Sequence, residues 1–112
     1  MEKKNVINTL TALAHETRLD IFRMLVRTGR DGLAAGAVAE ALGVPASTLS
    51  FHFKELKFSG VVKCRREGRS LIYSANFESM PSLVDFLTEN CCEDEGAIDC
   101  GQPTRKNVSR LA

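Results

Sequence analysis

The stretch VAEALGVPASTLSFHFKEL, residues 38–56, contains two helical patterns separated by a short turn. Apolar residues at helical spacing predict one helix over Ala35–Leu42 and a second over residues 46–58. Gly43 is a typical helix stop, and Pro45 suits a helix start because its missing N–H costs nothing there. Two short helices joined by a glycine-containing turn indicate a helix-turn-helix.

The second of these helices has one apolar face and one polar face. At about 100° per residue, Leu49, Phe53 and Leu56 share a side and should face the core. The opposite side and its flanks carry candidate DNA contacts, namely Ser47, Thr48, Ser50, Phe51, His52, Lys54 and Lys57. Hydroxyls and lysines can bind base edges or phosphates, and the Phe51 ring could meet a thymine methyl group.

Several of these residues also have purely structural interpretations. Ser47 and Thr48 could only satisfy the free amides at the helix start. His52 could be a partly buried packing histidine, and Phe58 could pack under the segment that follows, so Phe58 is not included among the DNA contacts.

Beyond this helix the apolar pattern changes to a period of two. Strands are predicted over residues 61–66 and 70–75, joined by a two-residue turn at Glu67-Gly68. Three arginines crowd around the turn, Arg65, Arg66 and Arg69. They could contact phosphates or the neighbouring minor groove, although a solvated hairpin tip is the alternative. The expected fold is therefore mainly α with a β-hairpin wing (α+β), a winged helix-turn-helix.

Three further helices complete the predicted domain. A first short helix has Val6, Leu10 and Leu13 on one side, a second over Glu16–Thr28 has Leu19, Phe22 and Val26, and a fifth over residues 80–91 has Leu83, Val84 and Leu87. Residues 1–92 are predicted to be one DNA-binding and dimerisation domain. Residues 93–112, rich in acidic residues, Gly, Pro and Asn, are predicted to be a flexible tail.

The formal net charge of +1 hides an asymmetry along the 112 residues. Residues 1–75 carry 12 Lys and Arg against 7 Asp and Glu, whereas residues 76–112 carry 3 against 7. A basic patch on a near-neutral chain favours local contact with a polyanion, the alternative being a solvated surface. With no apolar run of about 18 residues and no signal-peptide pattern, we expect no membrane span and a cytoplasmic protein. Its thiols should then be reduced rather than form a disulfide framework.

Five segments together resemble the ArsR/SmtB family of metalloregulatory repressors. They are LAHETRLDI (13–21), VAEALGV (38–44), TLSFHFKEL (48–56), SGVV (59–62) and the wing from RREGR to LIY (65–73). The resemblance covers about residues 5–92 in matching order and spacing. It implies a homodimer, built partly from the first and last helices, that binds double-stranded operator DNA with an inverted repeat.

The four cysteines are unevenly placed. Cys91 and Cys92 are adjacent, Cys100 follows in the tail, and Cys64 lies in the wing, where it is expected to be a small core residue. Adjacent cysteines suit neither a structural zinc site nor a Cys-x-x-Cys oxidoreductase. Three thiolates suit a soft three-coordinate ion such as trivalent arsenic.

The sequence around the cysteine pair, residues 88–92, resembles the arsenite site of one ArsR subgroup, in which a third cysteine lies in the tail. Residues 33–43 contain no cysteine, so the best-known ArsR inducer site is absent. The acidic and histidine residues that bind zinc at the last helix of SmtB-like members are absent as well.

These observations predict an arsenite-responsive repressor that binds As(III), or antimonite, through Cys91, Cys92 and Cys100 and then leaves its operator. An alternative keeps the DNA binding but changes the signal to antimonite, cadmium, lead or thiol oxidation. A thiol reductase is the enzymatic alternative. Because no base is oriented beside either thiol and no glycine-rich phosphate loop exists, the chain is expected not to be an enzyme.

Overall fold

The computed structural model describes residues 1–95, which form five α-helices and a small antiparallel sheet. In chain order the elements are α1 (Lys3–Leu13), α2 (Glu16–Thr28), β1 (Leu33–Ala34), α3 (Ala35–Leu42), α4 (Ala46–Ser59), β2 (Val62–Glu67), β3 (Ser70–Ala75) and α5 (Ser79–Thr88), followed by one turn of 3-10 helix at Glu93–Glu95. This arrangement confirms the predicted α+β class with a hairpin wing. None of these helices is long and apolar enough to cross a bilayer.

Helices α3 and α4 form the helix-turn-helix within one residue of the predicted bounds. Gly43 ends α3 in the left-handed conformation at φ +68°, which glycine adopts without the steric cost of a side chain. The predicted inward face of α4 is confirmed, since Leu49, Phe53 and Leu56 are at most 2% exposed. These three side chains belong to one core with residues of α2, α3 and the hairpin.

The sheet has one strand that the sequence analysis missed. β1 pairs with β3, with Leu33 opposite Tyr73, so that the strand order is β1-β3-β2. Two residues are too short for a period of two to be visible in the sequence. Gly32, just before β1, has φ +74° and lies directly against the backbone carbonyl of Tyr73.

The hairpin turn is displaced by one residue from its predicted position. Glu67 pairs with Ser70, so the turn is Gly68-Arg69 rather than Glu67-Gly68. Gly68 still supplies the positive φ, +66°, that the turn requires. The displacement places Arg69 at the tip of the wing.

The inward faces of α1 and α2 are only partly as predicted. α1 buries Val6, Thr9 and Ala12, and α2 buries Ile21, Phe22 and Leu25. The side chains of Leu10, Leu19 and Val26, which the spacing placed on the apolar sides of their helices, are each more than 40% exposed. Both helices carry apolar residues on adjacent faces, and spacing alone cannot decide which face meets the core.

Helix α5 ends three residues before its predicted end. Glu89 is extended, with ψ 133°, and Asn90 is left-handed, with φ +60°, so the helix cannot continue past Thr88. Leu83 is buried as predicted, whereas Val84 and Leu87 are more than half exposed. The cysteine pair therefore follows the helix instead of forming its last turn.

The close approach at Gly32 gives a test of the third strand. Gly32→Ala should lower the free energy of unfolding by about 2 kcal/mol or more, because a Cβ in this left-handed position meets the Tyr73 carbonyl. Gly36→Ala is the matched control, since a Cβ there meets open space within helix α3 and should raise stability slightly. Urea unfolding of both variants checks this, and equal stabilities would contradict the packing of β1 on β3.

Candidate nucleic-acid interface

The outward face of α4 is polar apart from one aromatic ring. The side chains of Ser47, Thr48, Ser50, Phe51 and Lys54 are all exposed, and Phe51 is 55% exposed. This exposure leaves the ring available for contact with another molecule. Lys57, one turn further along the helix, is exposed as well.

The start of α4 decides between two interpretations of its hydroxyl residues. Pro45 is the N-cap residue, and no side chain caps this helix start. Ser47 and Thr48 therefore do not serve as caps, and their hydroxyl groups face solvent. At the other end of the helix Phe58 is 79% exposed, so it does not pack under the wing, which was the possibility that kept it out of the candidate DNA contacts.

His52 does not belong to this exposed surface, so the prediction that it contacts DNA is wrong. The side chain is only 7% exposed, because it points from α4 towards the turn between α1 and α2. There it lies beside the ring of His15 and the guanidinium group of Arg18. The packing interpretation of this histidine is the one that the structure supports.

The three wing arginines are not equivalent. Arg65 donates to the Glu67 carboxylate and to the backbone carbonyl of Asp31, both at 2.8 Å. These contacts tie β2 to the loop after α2, so Arg65 is an internal anchor of the wing rather than a free phosphate contact. Arg66 and Arg69 are exposed near the tip and remain available for a polyanion.

An aromatic pair connects the wing to α4. The rings of Phe53 and Tyr73 are nearly parallel, with centroids 3.7 Å apart and an angle of 7° between their planes. Burial, and then a hydrogen bond with Cys64, raise the pKa of the Tyr73 hydroxyl above its usual value. Because Tyr73 is in β3 and Phe53 in α4, the stack fixes the wing relative to the outward face of the helix.

Comparisons with known proteins agree with this geometry. Residues 13–65 match the model of a helix-turn-helix domain. The chain is 33% identical over 98 residues to the biofilm growth-associated repressor of Xylella fastidiosa, which covers 85% of this chain and 82% of that protein. The chain is a winged helix-turn-helix transcriptional regulator of the ArsR/SmtB type.

Two solved structures show the same fold. HlyU from Vibrio cholerae is 29% identical, with a TM-score of 0.63 over 82% of this chain and 99% of that one. A homodimeric winged helix-turn-helix DNA-binding domain from Mycobacterium bovis, described as a possible ArsR-family regulator, is 29% identical with a TM-score of 0.63. The aligned region covers 86% of this chain and 89% of the Mycobacterium bovis domain. These relatives are named as transcriptional regulators and not as enzymes, which agrees with the expectation drawn from the sequence.

The cysteines of this ArsR/SmtB-type regulator are brought together only in part. Cys91 is exposed, and its sulfur lies 3.1 Å from that of Cys92. Cys92 is disulfide-bonded, which differs from the expectation of reduced thiols, while Cys64 is free and half-buried in the wing. Cys100, the third predicted ligand, lies outside the described residues. Within residues 1–95, no group of three or more His, Cys, Asp or Glu side chains is arranged to hold a metal ion.

The sequence analysis missed two residues that position this interface, Tyr73 and Arg18. Tyr73 was visible only as one residue of an alternating strand, and its partner Phe53 as one residue of a helical stripe. Arg18 lies outside the helix-turn-helix, and only the tertiary structure brings it to His52. Because α2 also contains Arg23 and Arg27, nothing along the sequence singled out Arg18.

The different surroundings of the wing arginines predict different effects on DNA binding. Arg69→Ala should weaken binding to a random-sequence duplex and reduce the slope of log Kd against log salt concentration by about 0.9 per subunit, the value for one lost phosphate contact. Arg65→Ala should leave that slope unchanged, because its guanidinium group is already paired within the protein. Fluorescence anisotropy between 50 and 200 mM salt, a range of roughly fourfold, measures both, and equal losses of slope would contradict the assignment.

Proposed function

We propose that this regulator is a homodimeric repressor that binds an inverted-repeat operator and releases it when arsenite binds Cys91, Cys92 and Cys100. The observation that carries the DNA-binding part is the exposed outward face of α4. On that face an uncovered phenylalanine lies among hydroxyl and lysine side chains. The free arginines of the adjacent wing supply the positive charge that a phosphate backbone attracts.

Dimer formation is supported by apolar side chains that a single subunit leaves uncovered. Ile7 and Leu10 of α1 and Val84 and Leu87 of α5 are each 44% to 57% exposed. Exposed apolar side chains on the first and last helices fit the dimer that the family resemblance implies. A twofold dimer presents two copies of α4, and an inverted repeat is the DNA symmetry that matches them.

Among the relatives, some are named as repressors and others as activators of transcription. The Xylella fastidiosa protein is named a repressor, whereas HlyU of Vibrio cholerae is named a transcriptional activator. We propose repression, because the Xylella fastidiosa repressor has the higher sequence identity to this chain. In this proposal the dimer without arsenite occupies the operator and blocks transcription.

Arsenite sensing is supported by the chemistry of the cysteine pair. The sulfurs of Cys91 and Cys92 are 3.1 Å apart just after α5, and Cys91 is exposed, which leaves room for a ligand on its side. Thiolates are soft ligands that favour a thiophilic ion, and Cys100 would supply the third. Because α5 carries part of the proposed dimer surface, an ion bound here can change the relative orientation of the two subunits. Capture requires reduction of the disulfide at Cys92.

Thiol oxidation is the second candidate signal. It is favoured by one observation, the disulfide bond at Cys92, which is next to the exposed thiol of Cys91. In this version the reduced and oxidised dimers differ in operator affinity, and no ion is needed.

Sequence-specific binding can be tested at Phe51. A duplex selected from a random pool with the wild-type protein serves as the operator probe. Phe51→Ala should weaken binding to this duplex by about 1–3 kcal/mol, the cost of one lost base contact, and barely change binding to a random duplex. Lys54→Ala should weaken binding to both duplexes. Equal loss on both duplexes for Phe51→Ala would contradict its role as a base contact.

The inducer can be tested with the same selected duplex and with protein reduced by a phosphine, which does not compete as a dithiol. Arsenite should raise the Kd of the wild type at least about tenfold, a coupling free energy of about 1.4 kcal/mol. The Cys91→Ser/Cys92→Ser double variant should bind DNA with the wild-type Kd, and arsenite should not change that Kd. Cys64→Ser is the matched control and should respond like the wild type.

Three results separate the candidate signals. Release by arsenite that persists in the double variant would remove the proposed site. Release by antimonite, cadmium or lead but not by arsenite would change the inducer. Release by peroxide that a reductant reverses, with no effect of any ion, would establish thiol oxidation as the signal.

A further inference from the structure

A single guanidinium group connects three helices behind the DNA-binding surface. Arg18 of α2 donates through Nε to the backbone carbonyl of Ala12 in the last turn of α1, at 2.7 Å. Its Nη1 lies 3.4 Å from Nδ1 of His52, in the middle of α4. The exposed face of α1 belongs to the proposed dimer surface, whereas the exposed face of α4 meets DNA. Arg18 thus joins the helices that carry the two surfaces.

The chemistry of this contact fixes the charge of His52. An arginine can only donate hydrogen bonds, so Nδ1 of His52 must accept, and the proton of the neutral ring resides on Nε2. Protonation of the ring would place a hydrogen on Nδ1 directly opposite the arginine cation. The contact therefore exists only while His52 is neutral.

The surroundings of His52 favour that neutral state. Its pKa is lowered by burial first, then by His15 and by Arg18. His15 caps α2 by accepting from the Thr17 N–H through Nδ1, and its ring centroid is 4.7 Å from that of His52. No carboxylate and no charged group of α1, α3 or the sheet is among the causes of the shift.

We propose that Arg18 is a positioning residue for α4, and that its contact with neutral His52 fixes the rotation at which α4 presents Ser47, Phe51 and Lys54 to DNA. Protonation of His52 breaks this contact, turns α4 and weakens operator binding. The inference rests on the proposed DNA-binding function, and it adds a positioning residue and proton sensitivity that are independent of the cysteines.

The sign of the effect follows from the direction of the pKa shift. Because the folded-state pKa of His52 lies below its ordinary value of 6.5, the contact contributes fully above that value and is lost as the pH falls further. The chain contains two histidines, both in this cluster, and no other side-chain type ordinarily titrates between pH 5 and 8. A histidine in direct contact with DNA would give the opposite sign, since its protonation adds a positive charge near phosphate.

The experiment measures the Kd of the reduced, full-length protein for the selected duplex between pH 7.5 and 5.5. Wild-type binding should weaken by up to about tenfold per subunit, the limit for one proton with a pKa below 6.5. His52→Gln should bind within about threefold of the wild type at pH 7.5 and show no such loss, because its amide oxygen accepts from Arg18 but does not titrate. Circular dichroism at each pH verifies that the helices stay folded.

Two further variants separate the roles of the cluster. Arg18→Gln should weaken binding at pH 7.5 and reduce the pH effect, since the cation that repels protonated His52 is gone. His15→Asn keeps a side chain that can cap α2, so it is the matched control. It should retain the loss of affinity, with a midpoint at higher pH, because a group that lowers the pKa of His52 has been removed.

A measurement without DNA tests the contact between Arg18 and His52 separately from the proposed function. The amide NMR resonances of residues 47–54 in the free protein should shift with the titration of His52 in the wild type and stay constant in His52→Gln. A wild type that prefers no duplex at pH 7.5 would overturn the proposed function, while these resonances would still test the contact. Tighter binding at pH 5.5, an unchanged pH effect in His52→Gln, or resonances that do not titrate would overturn the inference.

Discussion

The burial of one face of α4 is the constraint on which the rest of the interface depends. Leu49, Phe53 and Leu56 are almost completely removed from water, which decides which face of the helix points inward and which points outward. Three such side chains contribute roughly 1.5–3 kcal/mol each on burial. The polar residues and Phe51 face outward because Leu49, Phe53 and Leu56 occupy the buried side of the helix.

The same helix also sets the position of the wing. Phe53 stacks on Tyr73, and Arg65 ties the neighbouring strand to the loop after α2. Helix and hairpin are therefore joined at two separate points, one apolar and one polar. The arginines that remain near the tip are held at a defined distance from the outer face of α4, as a surface that follows a DNA backbone requires.

The groups that could report a signal lie in two places. The cysteine pair follows α5, a helix with uncovered apolar side chains, whereas the cluster of Arg18, His15 and His52 lies between α1, α2 and α4. In the proposed function, sulfur chemistry at the first place acts through the contact between subunits. The second place contacts α4 from within the subunit, so its effect on DNA binding does not require the subunits to move.

The sequence by itself determined the helix-turn-helix, the hairpin, the buried face of α4 and the family. These features are local, because spacing within one helix, a glycine at a turn and the order of short motifs are all read along the chain. The tertiary structure decided that α5 ends before the cysteines, that β1 exists, that His52 points inward, and that Arg65 is an anchor rather than a free cation. Each of these depends on partners distant in sequence, such as Arg18 for His52 and Asp31 for Arg65, and spacing along the chain contains no information about them.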